Sequence, residues 1–153
     1  MLRGNISNVV GDCVGVVCAG TVVKFKQDTL LDKAVSVVFG KYKRAYVDEK
    51  VLSFMNYLYR KTEITLDLII FRDEKTDELM KFLEDSAVPY SRIVVVDRPV
   101  HITTRLMIRD LTYVLCQDTE LLSLINHKWA MTLENLSDIL RPKNSVLKVG
   151  RRQ

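Results

Sequence analysis

The sequence predicts an α/β domain whose mostly parallel sheet carries helices on both faces, and three observations support that prediction. Leu66-Asp67-Leu68-Ile69-Ile70-Phe71, Arg92-Ile93-Val94-Val95-Val96 and Thr112-Tyr113-Val114-Leu115-Cys116 are short apolar runs. Strands with one wet face alternate apolar and polar residues, whereas strands covered on both faces read as near-continuous apolar runs. Helical spacing appears between and around these runs, as at Leu79, Phe82 and Leu83. A chain of 153 residues with 48% hydrophobic and 27% charged content has the composition of one folded domain rather than a disordered segment.

Taken in order, Met1 to Asn8 read as a loose lead-in. Val9-Val10, Val14 to Ala19 and Thr21 to Phe25 read as strand, forming either an N-terminal β-hairpin or one long strand entering the sheet. Gly11, Gly15 and Gly20 mark turns or close backbone approach. Ala34 to Phe39 is apolar without a clear period, and Lys41-Tyr42-Lys43-Arg44 is a basic loop. Asp48-Glu49 opens a helix with Val51, Phe54, Met55 and Leu58 on one face and its acids at the favourable end. Asp73 is the expected N-cap of the helix carrying Leu79, and Val88-Pro89-Tyr90 ends that helix. Val96 to Thr112 is expected to be an irregular connection, with His101 in a loop after Pro99. Thr119-Glu120 should cap a helix through Ile125. Lys128 to Thr132 reads as a short last strand, and Leu133 to Leu140 as a closing helix that Pro142 stops. The expected organisation is one domain over residues 1–140 and a basic tail over 141–153.

Charge is uneven along the chain. The net charge is +4, and the tail holds Arg141, Lys143, Lys148, Arg151 and Arg152 without an acid. Removing those five from 23 basic residues leaves 18 against 19 acidic ones, so the body is near neutral. No apolar run approaches the roughly 20 residues a membrane span requires. The N-terminus does not read as a signal peptide. Cys13, Cys18 and Cys116 are odd in number, sit in apolar runs and lack zinc-ligand or CxxC spacing. Free buried thiols in a reducing, cytoplasmic compartment are therefore expected.

Catalytic motifs are scarce. The sequence has no P-loop, GxGxxG, GxSxG or HExxH pattern. His101-Ile102-Thr103 has the HxT spacing of two-histidine phosphoesterases, but His127 is followed by Lys128-Trp129, so the required second motif is missing. Asp28, Asp97 and Asp118 are expected at the C-terminal ends of apolar strands, where open parallel sheets bind ligands.

The order of elements from Leu66 to Leu140 resembles the core half of the haloacid dehalogenase-like (HAD-like) superfamily. Val114-Leu115-Cys116-Gln117-Asp118, Leu121-Leu122 and Trp129-Ala130-Met131 fit the closing section of that fold. Phe25-Lys26-Gln27-Asp28-Thr29-Leu30-Leu31-Asp32 is similar to its first motif, a strand running into Asp-x-Asp-Gly-Thr-Leu. The resemblance implies a three-layer Rossmann-like fold, and it also implies a damaged site. With Asp28 at the second motif Asp, Lys26 stands at the nucleophile position. An amine there cannot form an aspartyl-phosphate, and its charge opposes Mg²⁺. Phe71-Arg72 replaces the Ser or Thr of the second motif. Arg98 or Arg105 could supply the charge of the phosphate-binding Lys, and Asp118 survives beside Gln117.

The expected function is thus a non-catalytic HAD-like domain serving as a binding or assembly subunit of a larger complex, a viral or phage one included. Its partner would be another protein or a second copy, with no membrane partner. No cofactor is expected beyond a residual Mg²⁺ at Asp28 and Asp118. Two alternatives come from other classes. One is a divergent Mg-dependent phosphatase or nucleotidase with Asp28 or Asp12 as nucleophile. The other is a nucleic-acid-binding regulator, and its contacts, which would equally serve an acidic partner, are Lys41, Lys43, Arg44, Arg141, Lys143, Arg151 and Arg152.

Overall fold

The computed structural model describes residues 11–26, 30–39 and 41–141. In chain order the elements are β1 (Asp12–Val17), β2 (Val23–Phe25), α1 (Leu30–Phe39), β3 (Ala45–Val47) and α2 (Glu49–Tyr59). They continue with β4 (Ile64–Phe71), α3 (Asp77–Asp85), β5 (Arg92–Val96), α4 (Pro99–Met107), β6 (Tyr113–Leu115), α5 (Thr119–Ile125), β7 (Ala130–Met131) and α6 (Leu133–Leu140). Single 3-10 turns precede β3 at Lys41–Arg44 and follow β4 at Arg72–Glu74.

Five strands form one parallel sheet in the order β5-β4-β1-β6-β7. The chain runs outward from β1 through β4 to β5, then returns to the other side of β1 for β6 and β7. This is the three-layer, Rossmann-like α/β architecture that the apolar runs predict. Val14, Val16, Leu66, Leu68, Ile70 and Leu115 face a core closed by α2, α3 and α6. Val17, Ile69, Val94, Val96 and Val114 face a second core closed by Ile102 and Leu106 of α4 and Ile125 of α5. Gly15 lets the second core close. A Cβ there would lie 2.7 Å from Ile69 Cδ1 and 3.1 Å from Leu111 Cδ2, inside ordinary contact distance.

An antiparallel ribbon is also present in the N-terminal third, but its two strands are β2 and β3, with α1 between them. Phe25 therefore belongs to this ribbon and not to a strand of the parallel sheet. Asp12 opens β1, so it lies at the opposite edge of the sheet from the strand ends and does not terminate a strand.

Three expected local features differ. The segment after Val96 is helical: Pro99 occupies the first turn, where its missing N–H costs nothing, and Ile102 and Leu106 bury one face. His101 lies in that helix, and its Nδ1 accepts the Asp97 and Arg98 amides at 3.3 and 3.2 Å. The cap of α3 is Thr76, whose Oγ1 accepts the Leu79 amide at 3.2 Å, because Asp73 is taken into the 3-10 turn. The cap of α5 is Asp118, one residue before the expected Thr119. At α2 the expectation holds: Asp48 Oδ1 accepts the Lys50 and Val51 amides at 3.0 and 3.2 Å.

Candidate functional site: the strand-end crevice

The chain reverses direction across the sheet between β1 and β6. In open parallel sheets the crevice outside the carboxyl ends at such a switch point is where ligands bind. Here it lies between Cys18-Ala19-Gly20-Thr21, which follow β1, and Gln117-Asp118, which follow β6. Gly20 has φ +85°, a conformation that glycine adopts without cost, and its open α-carbon faces Asp118. Thr21 is fully buried, and its Oγ1 accepts the Gln117 amide at 2.9 Å. Gln117 Oε1 in turn accepts the Leu133 amide at 2.9 Å, linking the crevice to the start of α6.

The groups here are engaged in building the fold. Asp118 Oδ1 accepts the Glu120 and Leu121 amides at 3.0 and 3.2 Å. Burial pushes the Cys18 thiol up to about 12, with the Glu74 charge adding to the effect. A thiol held neutral in this way is a poor nucleophile. On the other side of β1, Arg72 Nε donates to Asp97 Oδ1 at 2.6 Å. That hydrogen bond holds the Asp97 carboxyl below its usual range.

The remaining expected site residues are dispersed. Asp28 lies outside the described residues, as do Lys143, Lys148, Arg151 and Arg152. Lys41 opens the 3-10 turn before β3, Lys43 is exposed and Arg44 is half-buried. Arg98 is the residue preceding α4, whereas Arg105 lies in the last turn of that helix and pairs with Asp110. Arg141 is exposed, and its guanidinium sits over the rings of Phe54 and Tyr57 at 5.4 and 4.7 Å. Among the described residues, no group of three or more His, Cys, Asp or Glu side chains is placed to hold a metal ion. Cys13, Cys18 and Cys116 are free thiols. No helix among the described residues is long and apolar enough to cross a membrane.

One polar cluster escaped the sequence reading. Asp67 is fully buried in β4, beside Gly15 of β1 and Arg92 of β5 in strand register. Its Oδ2 accepts Arg92 Nε at 2.8 Å and the Cys13 thiol at 3.1 Å, while Oδ1 is buried without a hydrogen-bond partner. Arg92 continues to Asp110 at 3.3 Å, and Asp110 pairs with Arg105 of α4. Burial, followed by the hydrogen bond to Asp67, pushes the Cys13 thiol up to about 12. The only sequence signal was a lone acid inside an apolar run.

No protein-family model, curated protein or solved structure matches the chain. Its class therefore rests on its own topology: a three-layer Rossmann-like α/β domain with a helix-bearing antiparallel ribbon between the first strand and α2.

Proposed function

We propose that this chain is a non-catalytic, HAD-like assembly module that docks on a second copy of itself through α1. The observation that carries the proposal is the outer face of α1. Leu30, Ala34 and Val37 fall at i, i+4 and i+7, the spacing of a buried helical stripe. Yet Leu30 and Val37 are 85% and 84% exposed, and the adjoining Leu31 is 65% exposed. Exposed apolar side chains at helical spacing leave a face that a partner can cover.

The emptied crevice supports the non-catalytic half of the proposal. The HAD-like first motif, Asp-x-Asp-Gly-Thr-Leu, can also be aligned on Val17-Cys18-Ala19-Gly20-Thr21-Val22, at the end of the central strand. On that alignment Gly20-Thr21, which follow two residues beyond the end of β1, would stand at the Gly-Thr pair, and Val17 and Ala19 at the two Asp positions. Neither side chain can attack a phosphate ester or bind Mg²⁺.

Light scattering on the purified chain and on Leu30→Asp/Val37→Asp, beside a phosphomonoester hydrolysis assay with and without Mg²⁺, tests the proposal. The expected result is a multiple of the 17.6-kDa mass that the double variant returns to a monomer, with no turnover. A mass unchanged by the double variant, or Mg-dependent hydrolysis, overturns it.

A further inference from the structure

A cavity of about 660 Å³ opens at the other edge of the sheet, beside the first residues of β1 and β6. Ligand pockets commonly measure about 300–1,000 Å³. One wall is the turn between α4 and β6, which carries Arg109, and the other is the connection between α5 and β7, which carries His127, Lys128 and Trp129. Asp12 is the only carboxylate among the described residues of the lining.

Hydrogen bonds donated by backbone amides hold both walls. Arg109 has φ +65°, and the Asp110 and Leu111 amides that follow it both donate to the Arg105 carbonyl, at 2.9 and 3.0 Å. His127 Nδ1 accepts the Trp129 amide at 3.1 Å, so its other ring nitrogen is the one left for a ligand. Trp129 stands edge-on to Tyr113, with ring centroids 5.5 Å apart and planes at 87°, yet 39% of its surface remains exposed. The Lys128 ammonium lies over one face of the Trp129 ring, 5.2 Å from its centroid, so a stacked base would take the other face or displace it. Among the described residues, Arg109 makes no ion pair. The cavity thus combines a fixed aromatic surface with two permanent cations and one imidazole.

We infer that this cavity binds an aromatic anion of mononucleotide size, a nucleoside monophosphate, with its base on Trp129 and its phosphate between Arg109 and Lys128. Base–aromatic stacking does not depend on base identity, whereas the phosphate takes charge-assisted hydrogen bonds that a neutral nucleoside lacks. The site is separate from the strand-end crevice, which lies at the opposite end of β1.

Trp129 is the only tryptophan in the sequence, so its fluorescence reports on this cavity alone. Titration with AMP, GMP, CMP and UMP, confirmed by calorimetry, should give saturable quenching by at least one of them. The corresponding nucleoside should bind at least about tenfold more weakly, and inorganic phosphate should not quench. Arg109→Gly, which suits the left-handed backbone, and Lys128→Gln should each weaken binding about tenfold with an unchanged thermal midpoint. Arg72→Gln, at the strand-end edge, should leave it unchanged. Four nucleotides without saturation, equal affinity for nucleoside and nucleotide, or an Arg72→Gln loss matching that of Arg109→Gly overturns the inference. So does a single-stranded oligonucleotide that binds more tightly than the nucleotide.

Discussion

Arg92 reaches from the edge strand β5 into the sheet, where its Nε donates to Oδ2 of the fully buried Asp67 at 2.8 Å. The Arg92 side chain remains about half exposed while the Asp67 side chain is fully buried. One partner therefore keeps its hydration while neutralising the other. Asp67's hydrogen bond raises the already high pKa of Arg92 further, so the cation persists at any pH the fold survives.

Removing the arginine should be costly. Arg92→Met leaves a buried, uncompensated carboxylate, and breaking such a pair typically costs about 3–5 kcal/mol. The Asp67→Asn/Arg92→Met double variant replaces that charge with a neutral amide of similar shape and should lose clearly less. Urea unfolding of both variants checks this; equal losses would mean that the two residues do not act as a pair.

Gly15 offers a sharper steric test. Gly15→Ala places a methyl group against Ile69 Cδ1, and overpacking of this kind costs about 1–3 kcal/mol. Ile69→Val removes the clashing carbon. The Gly15→Ala/Ile69→Val variant should therefore be more stable than the sum of the two single losses predicts, measured by thermal or urea unfolding. Strict additivity would show that the clash is relieved elsewhere.

The Cys18 thiol predicts a defined alkaline response. Its folded pKa, about 12, lies above its ordinary value of 9.0. The unfolded chain thus releases this proton first as pH rises. The stability tied to it is complete below about pH 9 and is lost progressively toward pH 12, at up to about 1.4 kcal/mol per pH unit. Cys18→Ala should flatten the decline in unfolding free energy above pH 9.0 by that slope, beside a pH-independent loss from the smaller side chain. A variant with the parent's full alkaline slope would assign the response to other groups, Cys13 foremost.

What was legible in the sequence was what burial writes locally. β4, β5 and β6 are covered on both faces, so their residues read as near-continuous apolar runs. The α2 face and its Asp48 cap show in a dozen consecutive residues. Helix α4 was hidden because Pro99 reads as a breaker and Ile102, Thr103 and Thr104 are β-branched, although Ile102 and Leu106 carry helical spacing. The end of β1 runs into Cys18-Ala19-Gly20-Thr21, which carries no acid to mark it in the sequence. Asp67 and Arg92, like Arg109 and Trp129, meet only through the fold, and no local pattern joins residues from separate strands or turns.

The central position of β1 has a consequence for how the chain is made. Asp12 pairs in register with Ile64, and Val14 with Tyr113, so the first strand of the sheet to be synthesised acquires its second neighbour only after β6 has emerged. Until then one flank of β1 is an unpaired apolar edge, the kind of template on which chains aggregate. Polypeptides that stop short of Tyr113 should collect as insoluble material, whereas chains that include β6 close the sheet around the strand that was made first.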